Sequence, residues 1–255
     1  MQEGVRFAEQ EDDLRACFKL RYRVYVENMG RLSDKSDHIN KELYDEFDDR
    51  ARVLIAVKKG KTIGTLRLCW GGDAPFAGSM LSDYRLIPFL KQIQKEKICI
   101  VERLMIDPDC RGSSLVVRMY KEVMHFVLQH KAEVVLLNCE LHNLNAYLKL
   151  GFRAFGDVYD YPSIGPVVPM ALIVGDYDHL VSVGSPVAYL ISSRDVQYCC
   201  KTAEIKKVVL NETPLSADNA LPIIQKLKNL NKARKSLVNN RTFQFSERLQ
   251  LRLSA

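Results

Sequence analysis

The chain has 255 residues, 47% of them hydrophobic and 27% charged, with a formal net charge of +6. That is room for one substantial core, or for one domain plus an extension, in the ordinary balance of a soluble globular protein. A membrane span is excluded, because the longest apolar stretch, around Val167 to Val174, contains a proline and is far too short. The start, Met1-Gln2-Glu3-Gly4, has neither a basic n-region nor an apolar h-region, so no secretory signal is expected. The seven cysteines form no CxxC pair, and Cys99 and Cys139 sit in apolar runs, which points to a reducing cytoplasm without structural disulfides. No His/Cys cluster has metal-ligand spacing, and no metal is expected.

In chain order, Gly4 to Ala8 is expected as a first strand. Asp12 or Asp13 is expected to cap a helix running to about Asn28, with Leu14, Cys17 or Phe18, Tyr25 and Met29 as its apolar stripe. Gly30 to Arg50 is polar, acidic and long for a connection, a feature of functional loops. Strands over 52–57 and 62–70 are joined by Lys58-Lys59-Gly60-Lys61 as a hairpin. A helix is expected over 82–95, a strand over 97–106 closed by Asp107-Pro108, and a helix over 113–130. A short buried strand over 134–139, a helix over 142–150 stopped by Gly151, and strands over 152–161 and 167–174 complete a mixed α/β pattern.

Positive charge is concentrated behind this pattern. Residues 184–255 carry 12 Lys and Arg against 5 Asp and Glu, leaving residues 1–183 about neutral. The expected division is therefore a domain over 1–183 and a basic, partly helical extension over 184–255, with a helix over 216–237. Such a segment attracts an acidic protein or an anionic membrane surface, or is a solvated helix face. It has no aromatic platform or motif for nucleic acid, which is not expected as a partner.

Three charges sit where a plain core would have none. Arg21 lies on the apolar stripe of the first helix. Glu102 lies in Ile98-Cys99-Ile100-Val101-Glu102-Arg103-Leu104-Met105-Ile106, a run that reads as a strand buried on both faces. Arg67 interrupts Ile63-Gly64-Thr65-Leu66-Arg67-Leu68-Cys69-Trp70. Buried charges need partners. Two readings stay open for them: a structural salt bridge, or a general base with an orienting cation. The loop Asp45-Glu46-Phe47-Asp48-Asp49 is a solvated turn by itself. Beside two arginines and Glu102 it suits an amine-bearing or zwitterionic small molecule.

Asp107-Pro108-Asp109-Cys110-Arg111-Gly112-Ser113-Ser114-Leu115, between a strand and a helix, resembles the acyl-carrier loop of the GNAT superfamily. Asn145-Ala146-Tyr147-Leu148-Lys149-Leu150-Gly151-Phe152 resembles that superfamily's Tyr…Gly-Phe element. Leu20-Arg21-Tyr22-Arg23-Val24-Tyr25, the pair Asp45 and Asp48, Gly64-Thr65-Leu66-Arg67 and Val101-Glu102-Arg103 are similar in order and spacing to the long-chain N-acyl amino acid synthases and acyl-homoserine lactone synthases. The resemblance spans about 18–152. It implies a GNAT-like α/β fold, a central mixed, mostly antiparallel sheet flanked by helices. It also implies acyl transfer from a phosphopantetheine thioester to a small-molecule amine, with no tightly bound cofactor. Glu102 is then the expected base, and Tyr147 the proton donor to the leaving thiolate or else a helix-face core aromatic. Arg21, Tyr25, Asp45, Asp48 and Arg67 would bind the acceptor. Leu104, Met105, Ile106, Arg111, Gly112, Ser113 and Ser114 would bind the donor.

Two departures separate the branches. Gly30-Arg31-Leu32 stands where lactone synthases carry a tryptophan, and Glu102 and Arg103 are adjacent where those enzymes space them by three. Both favour an amino acid as acceptor. The carrier loop keeps Arg111 and Gly112 but has side chains where later glycines would let a pyrophosphate approach, which favours acyl carrier protein over acyl-CoA. The competing readings are a lactone-signal synthase, a short-chain acetyltransferase, and a non-catalytic module on a degenerate fold. An open V between the fourth and fifth strands would favour an enzyme over the last.

Overall fold

A computed structural model describes residues 2–162, 164–191 and 196–211. Strand β1 (Gly4–Phe7) leads into helix α1 (Glu11–Tyr22), which continues without a break as π-helical turns over Arg23–Asn28. Asp13 does not cap α1; its carboxylate is taken by the Arg6 guanidinium at 2.6 and 2.7 Å. Strands β2 (Arg52–Lys58) and β3 (Lys61–Trp70) form the expected hairpin. Lys59 and Gly60 both have positive φ, the geometry whose twist matches a two-residue hairpin, and Glu3 accepts both of their N–H groups.

The stretch expected as one helix over 82–95 is broken. It forms α2 (Gly78–Asp83) and α3 (Leu86–Leu90), separated by Arg85 in a left-handed conformation. Strand β4 (Ile98–Ile106) follows, then helix α4 (Leu115–Gln129), strand β5 (Val134–Glu140) and helix α5 (Leu144–Leu150). Gly151 closes α5 with φ +105, where any side chain would also strike Leu180. The expected strand over 152–161 is split into β6 (Arg153–Ala154) and β7 (Tyr159–Tyr161) by a turn with positive φ at Gly156. Strand β8 (Gly165–Ile173) and helices α6 (Tyr177–Ser182) and α7 (Thr202–Asn211) complete the described chain.

The sheet runs β1-β2-β3-β4-β5-β8-β6, with β7 also on β8, and only β4 and β5 are parallel. That parallel pair needs a crossover, and α4 supplies it. Helix α4 buries Leu115, Met119, Tyr120, Val123, Met124, Phe126 and Val127. Gly64 in β3 admits the helix: a Cβ there would stand 3.1 Å from the Met119 sulfur and from Ile106 Cδ1. The opposite face packs Leu86, Phe89, Ile98, Ile100, Leu136 and Ile173 into the main core, at about 1.5–3 kcal/mol for each fully buried large side chain.

Residues beyond Gly184 contribute to this same core, in which Ile205 and Val209 of α7 are fully buried. The expected helix over 216–237 lies outside the described residues. Among those described, no helix is long and apolar enough to cross a membrane.

Two irregularities prepare the site. β4 and β5 pair only over Ile98–Ile100 with Val134–Leu136; beyond that the strands diverge into an open V. Register on the other edge of β4 also shifts, with Arg67 opposite Glu102 and Thr65 opposite Met105, so that β4 bulges where Arg103 has φ +52. A bulge bends its strand and re-aims side chains.

Candidate active site

The bulge lets two successive residues of β4 serve one cluster. In a regular strand Glu102 and Arg103 would face opposite sides of the sheet. Here Glu102 Oε2 accepts from Arg67 Nε at 2.7 Å and Nη2 at 2.5 Å, while Arg103 Nη2 reaches Asp45 Oδ2 at 2.5 Å. Asp45 Oδ1 accepts from Arg67 Nη1 and closes the circuit. Asp48 joins from the same loop: Oδ1 takes Arg21 Nη1 at 2.7 Å, and Oδ2 takes the Asp45 N–H at 3.0 Å with Arg67 Nη1 at 3.3 Å. Tyr84, just after α2, donates its hydroxyl to Glu102 Oε1 at 2.6 Å. Three arginines thus meet three carboxylates, and the guanidinium of Arg67 also lies over the Phe47 ring.

The cluster is nearly dry. Side chains of Arg21, Arg67, Asp48 and Glu102 are 0–7% exposed, and Asp45 and Arg103 form its outer edge at 27% and 19%. Burial works against the charge of Asp45, but Arg67 and Arg103 outweigh it and hold the carboxyl below its ordinary pKa. Burial likewise opposes the charge of Arg67, and Glu102, Asp48 and Asp45 together keep it firmly protonated. Burial, then the charge of Glu102, pushes the Tyr84 hydroxyl well up. Arg21 retains an imbalance. It is fully buried, yet its Nε and Nη2 have no hydrogen-bond partner among the described residues.

A pocket of about 380 Å³ fills the V. Leu104, Met105 and Ile106 line it from β4, Glu140 from β5, Arg111, Gly112 and Ser113 from the loop before α4, and Tyr147 from α5. Ser114 does not line it but sits at the N-cap of α4, one position before the helix. Tyr25 lines the pocket from the π-helical turns, where the widened backbone departs from the simple helical stripe. The Arg103 guanidinium stands over the Tyr25 ring, 5.8 Å from its centre, so Tyr25 and Arg103 connect pocket and cluster. Tyr147 packs edge-to-face on Tyr120 and Phe152, and burial pushes its hydroxyl above the ordinary phenol pKa. A second pocket, of about 280 Å³, opens beside Phe47, Cys69, Phe76 and Met80, with Glu46 and Asp49 on its lining.

Arg21, Asp45, Asp48, Arg67 and Glu102 are therefore brought together, and Tyr25, Tyr147 and all the expected donor residues except Ser114 are gathered in the V. Glu102 itself is not among the pocket's lining residues. Sequence reasoning matched Arg103 as a motif residue without giving it a role, and did not single out Tyr84, Glu140 or Arg31. Arg103 was visible as a charge beside Glu102, but a regular strand puts it on the wrong face. Tyr84 offered no signal. Glu140, ending a strand, reads as an ordinary solvated charge.

Residues 16–173 match the family model described as N-acyl amino acid synthase FeeM. An L-ornithine N(alpha)-acyltransferase of Rhodobacter capsulatus is 26% identical over 147 residues, which make up 54% of this chain and 56% of that protein. The match thus spans little more than half of the relative's length. The structure of FeeM, an N-acyl amino acid synthase from uncultured soil microbes, superimposes with a TM-score of 0.56 at 15% identity, covering 72% of this chain and 97% of FeeM. The CoA-dependent acyl-homoserine lactone synthase MesI gives 0.54 at 20% identity over 74% of this chain and 96% of its own. At such identities these two likenesses speak for the fold, which is the GNAT-like one expected.

Proposed function

Because the chain belongs to the N-acyl amino acid synthase FeeM family, we propose that it transfers an acyl group from a phosphopantetheine thioester to the amine of an amino acid. The observation that carries this is the junction of the two halves: a closed cluster of paired charges adjoins, through Arg103 and Tyr25, an open and mostly apolar pocket between diverging strands. The pocket suits the thioester arm, with Leu104, Met105 and Ile106 along one wall. Arg111, Gly112 and Ser113 stand at the start of α4, where backbone N–H groups favour a phosphate.

The cluster suits a zwitterion. An amino-acid carboxylate supplies the acceptor that Nε and Nη2 of Arg21 lack, and Asp45, at the exposed edge, receives the ammonium. Glu102 accepts three hydrogen bonds and holds Arg67 and Tyr84 in place for that exchange. Tyr147, kept protonated by burial, gives its proton to the departing thiolate.

An acceptor with a cationic side chain is a second reading favoured by one feature. The pocket beside Phe47 has apolar walls for an alkyl stem and the carboxylates Glu46 and Asp49 for a terminal charge. The relative named for L-ornithine fits that reading. The donor is acyl carrier protein or acyl-CoA. Charge reversal at Lys226, Lys228 and Lys232 that leaves turnover with carrier-bound substrate unchanged would remove the basic extension from carrier docking.

The test is mass spectrometry of lipid extracts from cells overproducing the chain, with Glu102→Gln as control. A new N-acyl amino acid whose yield falls in the variant is the expected result. No new product, or the same yield from the variant, refutes the assignment. With S-adenosylmethionine as acceptor in vitro, a lactone product would instead identify a signal synthase.

A further inference from the structure

Resting on the acyltransferase reading, one step still lacks an agent: the acceptor arrives as an ammonium and must lose a proton before its nitrogen can attack. The charged cluster is poorly arranged to take that proton. Both oxygens of Glu102 are filled, by Tyr84 on one side and Arg67 on the other, and Glu102 stands outside the pocket lining. Asp45 is bonded by Arg67 and Arg103, and Asp48 by Arg21 and Arg67. Each would have to give up a buried ion pair to accept a proton, and breaking such pairs is costly.

Glu140 is arranged differently. It is the last residue of β5, on the strand that diverges from β4, and the one carboxylate among the described residues lining the pocket. Its Oε2 accepts from Arg31 Nη1 at 2.9 Å, with His142 Nδ1 3.9 Å from the same oxygen. No described residue hydrogen-bonds its Oε1. At 22% exposure the side chain keeps contact with water, to which a proton can be passed on. The two groups expected to handle substrate, Tyr25 and Tyr147, share its pocket. Burial is the main cause of their raised pKa values, and the Glu140 charge contributes to both.

We propose that Glu140 is the proton acceptor of the acyl transfer, held in place by Arg31, with Glu102 acting as a positioning residue for Arg67. The ammonium gives one proton to Glu140, directly or through a water. The freed amine attacks the thioester carbonyl, the C–N bond forms and the C–S bond breaks. The second nitrogen proton replaces the one Tyr147 delivers to the thiolate, and Glu140 releases its proton to solvent. Amide, thiol and one proton account for all atoms.

The experiment compares Glu140→Gln, Glu140→Ala and Glu102→Gln in full-length protein, with acyl-CoA and the preferred amino acid over a range of pH. For Glu140→Gln, kcat falls about 100-fold or more while donor KM holds, and the acidic limb of the kcat profile disappears. Added formate restores part of the Glu140→Ala activity, which a purely structural role would not allow. Glu102→Gln raises acceptor KM and keeps the acidic limb. Turnover of Glu140→Gln within threefold of the parent, no rescue by formate, or loss of the acidic limb in Glu102→Gln instead, overturns the assignment. A parent enzyme that makes no N-acyl product with any acceptor overturns the acyltransferase reading, and this role with it.

Discussion

The two halves of the candidate site are built on opposite principles. On the side proposed for the acceptor, three arginines and three carboxylates pair in a nearly dry space, with Nε and Nη2 of Arg21 left without a partner among the described residues. On the donor side, β4 and β5 simply stop pairing, and the gap is lined by apolar side chains, a glycine-containing loop and two tyrosines. On the proposed reading the first half is largely paired before substrate arrives, and a zwitterion would enter by meeting Arg21 and exchanging ion pairs at Asp45. The second half is open between the diverging strands, the space that the proposed reading gives to a thioester arm. On that reading specificity is concentrated where bonds are exchanged in kind, charge for charge. Capacity is concentrated where none need be.

The sharpest way to break this comparison is to unbalance the cluster. Arg67→Met removes the cation shared by Asp45, Asp48 and Glu102 and leaves three buried or half-buried carboxylates facing one another. Loss of about 3–5 kcal/mol of stability is expected, measured by chemical denaturation. A loss under about 1 kcal/mol would mean that the cluster is wet and its ion pairs incidental. On the donor side the expected effects are kinetic. Tyr147→Phe keeps the ring contacts with Tyr120 and Phe152 and removes the hydroxyl that would give the proton. A fall of about 100-fold in kcat, or about 2.7 kcal/mol in the barrier, is expected with donor KM unchanged. Ala146 is exposed on α5 and lines the pocket, so Ala146→Trp is expected to narrow the V without harming the core. Donor KM rises about tenfold, roughly 1.4 kcal/mol, while the melting temperature stays within about 2 °C. Equal effects on acceptor and donor KM would show that the two halves are not separate.

How legible each half was in the sequence follows from the same contrast. A lone charge in an apolar run is conspicuous, because burying it unpaired is prohibitive; Arg21, Arg67 and Glu102 announced themselves for that reason. Their partners in the acidic loop were visible once the arginines demanded them. The cluster's remaining members depended on backbone geometry that no residue pattern encodes. Arg103 joins only because β4 bulges there with φ +52, and Tyr84 only because a left-handed Arg85 breaks the expected helix just after it. The V was readable as family resemblance and not as physics: nothing in Val101–Ile106 or in 137–140 says that two apolar strands will decline to pair. Alternating hydrophobicity placed most strands well. It failed where short-range turns intervened, at Gly156 and between α2 and α3. The extension past Gly184 was set apart by its charge, whereas its first part joins the core through Ile205 and Val209, whose apolar spacing was outweighed by the lysines around them.

The mildest perturbation asks whether the outer edge of the cluster contributes to stability as its interior does. Arg103→Met leaves Asp45 with Arg67 but removes its second cation. In the parent, Asp45 has a folded-state pKa below its unfolded value, because the two arginines outweigh the effect of burial. Its contribution is therefore complete above the unfolded carboxylate pKa of about 3.9 and is lost as pH falls through the folded value. Losing Arg103 lets the folded pKa rise towards the unfolded one, so the variant has less stability to lose. At pH 7 the variant should be less stable than the parent by about 1 kcal/mol, the range of a part-exposed ion pair. The gap should close as pH falls below about 4, once Asp45 is protonated in both proteins. Thermal unfolding of both proteins across that range measures it. A gap that is constant with pH would assign the effect of Arg103 to its packing on Tyr25 rather than to its charge. The connection between the two halves would then be a matter of shape alone.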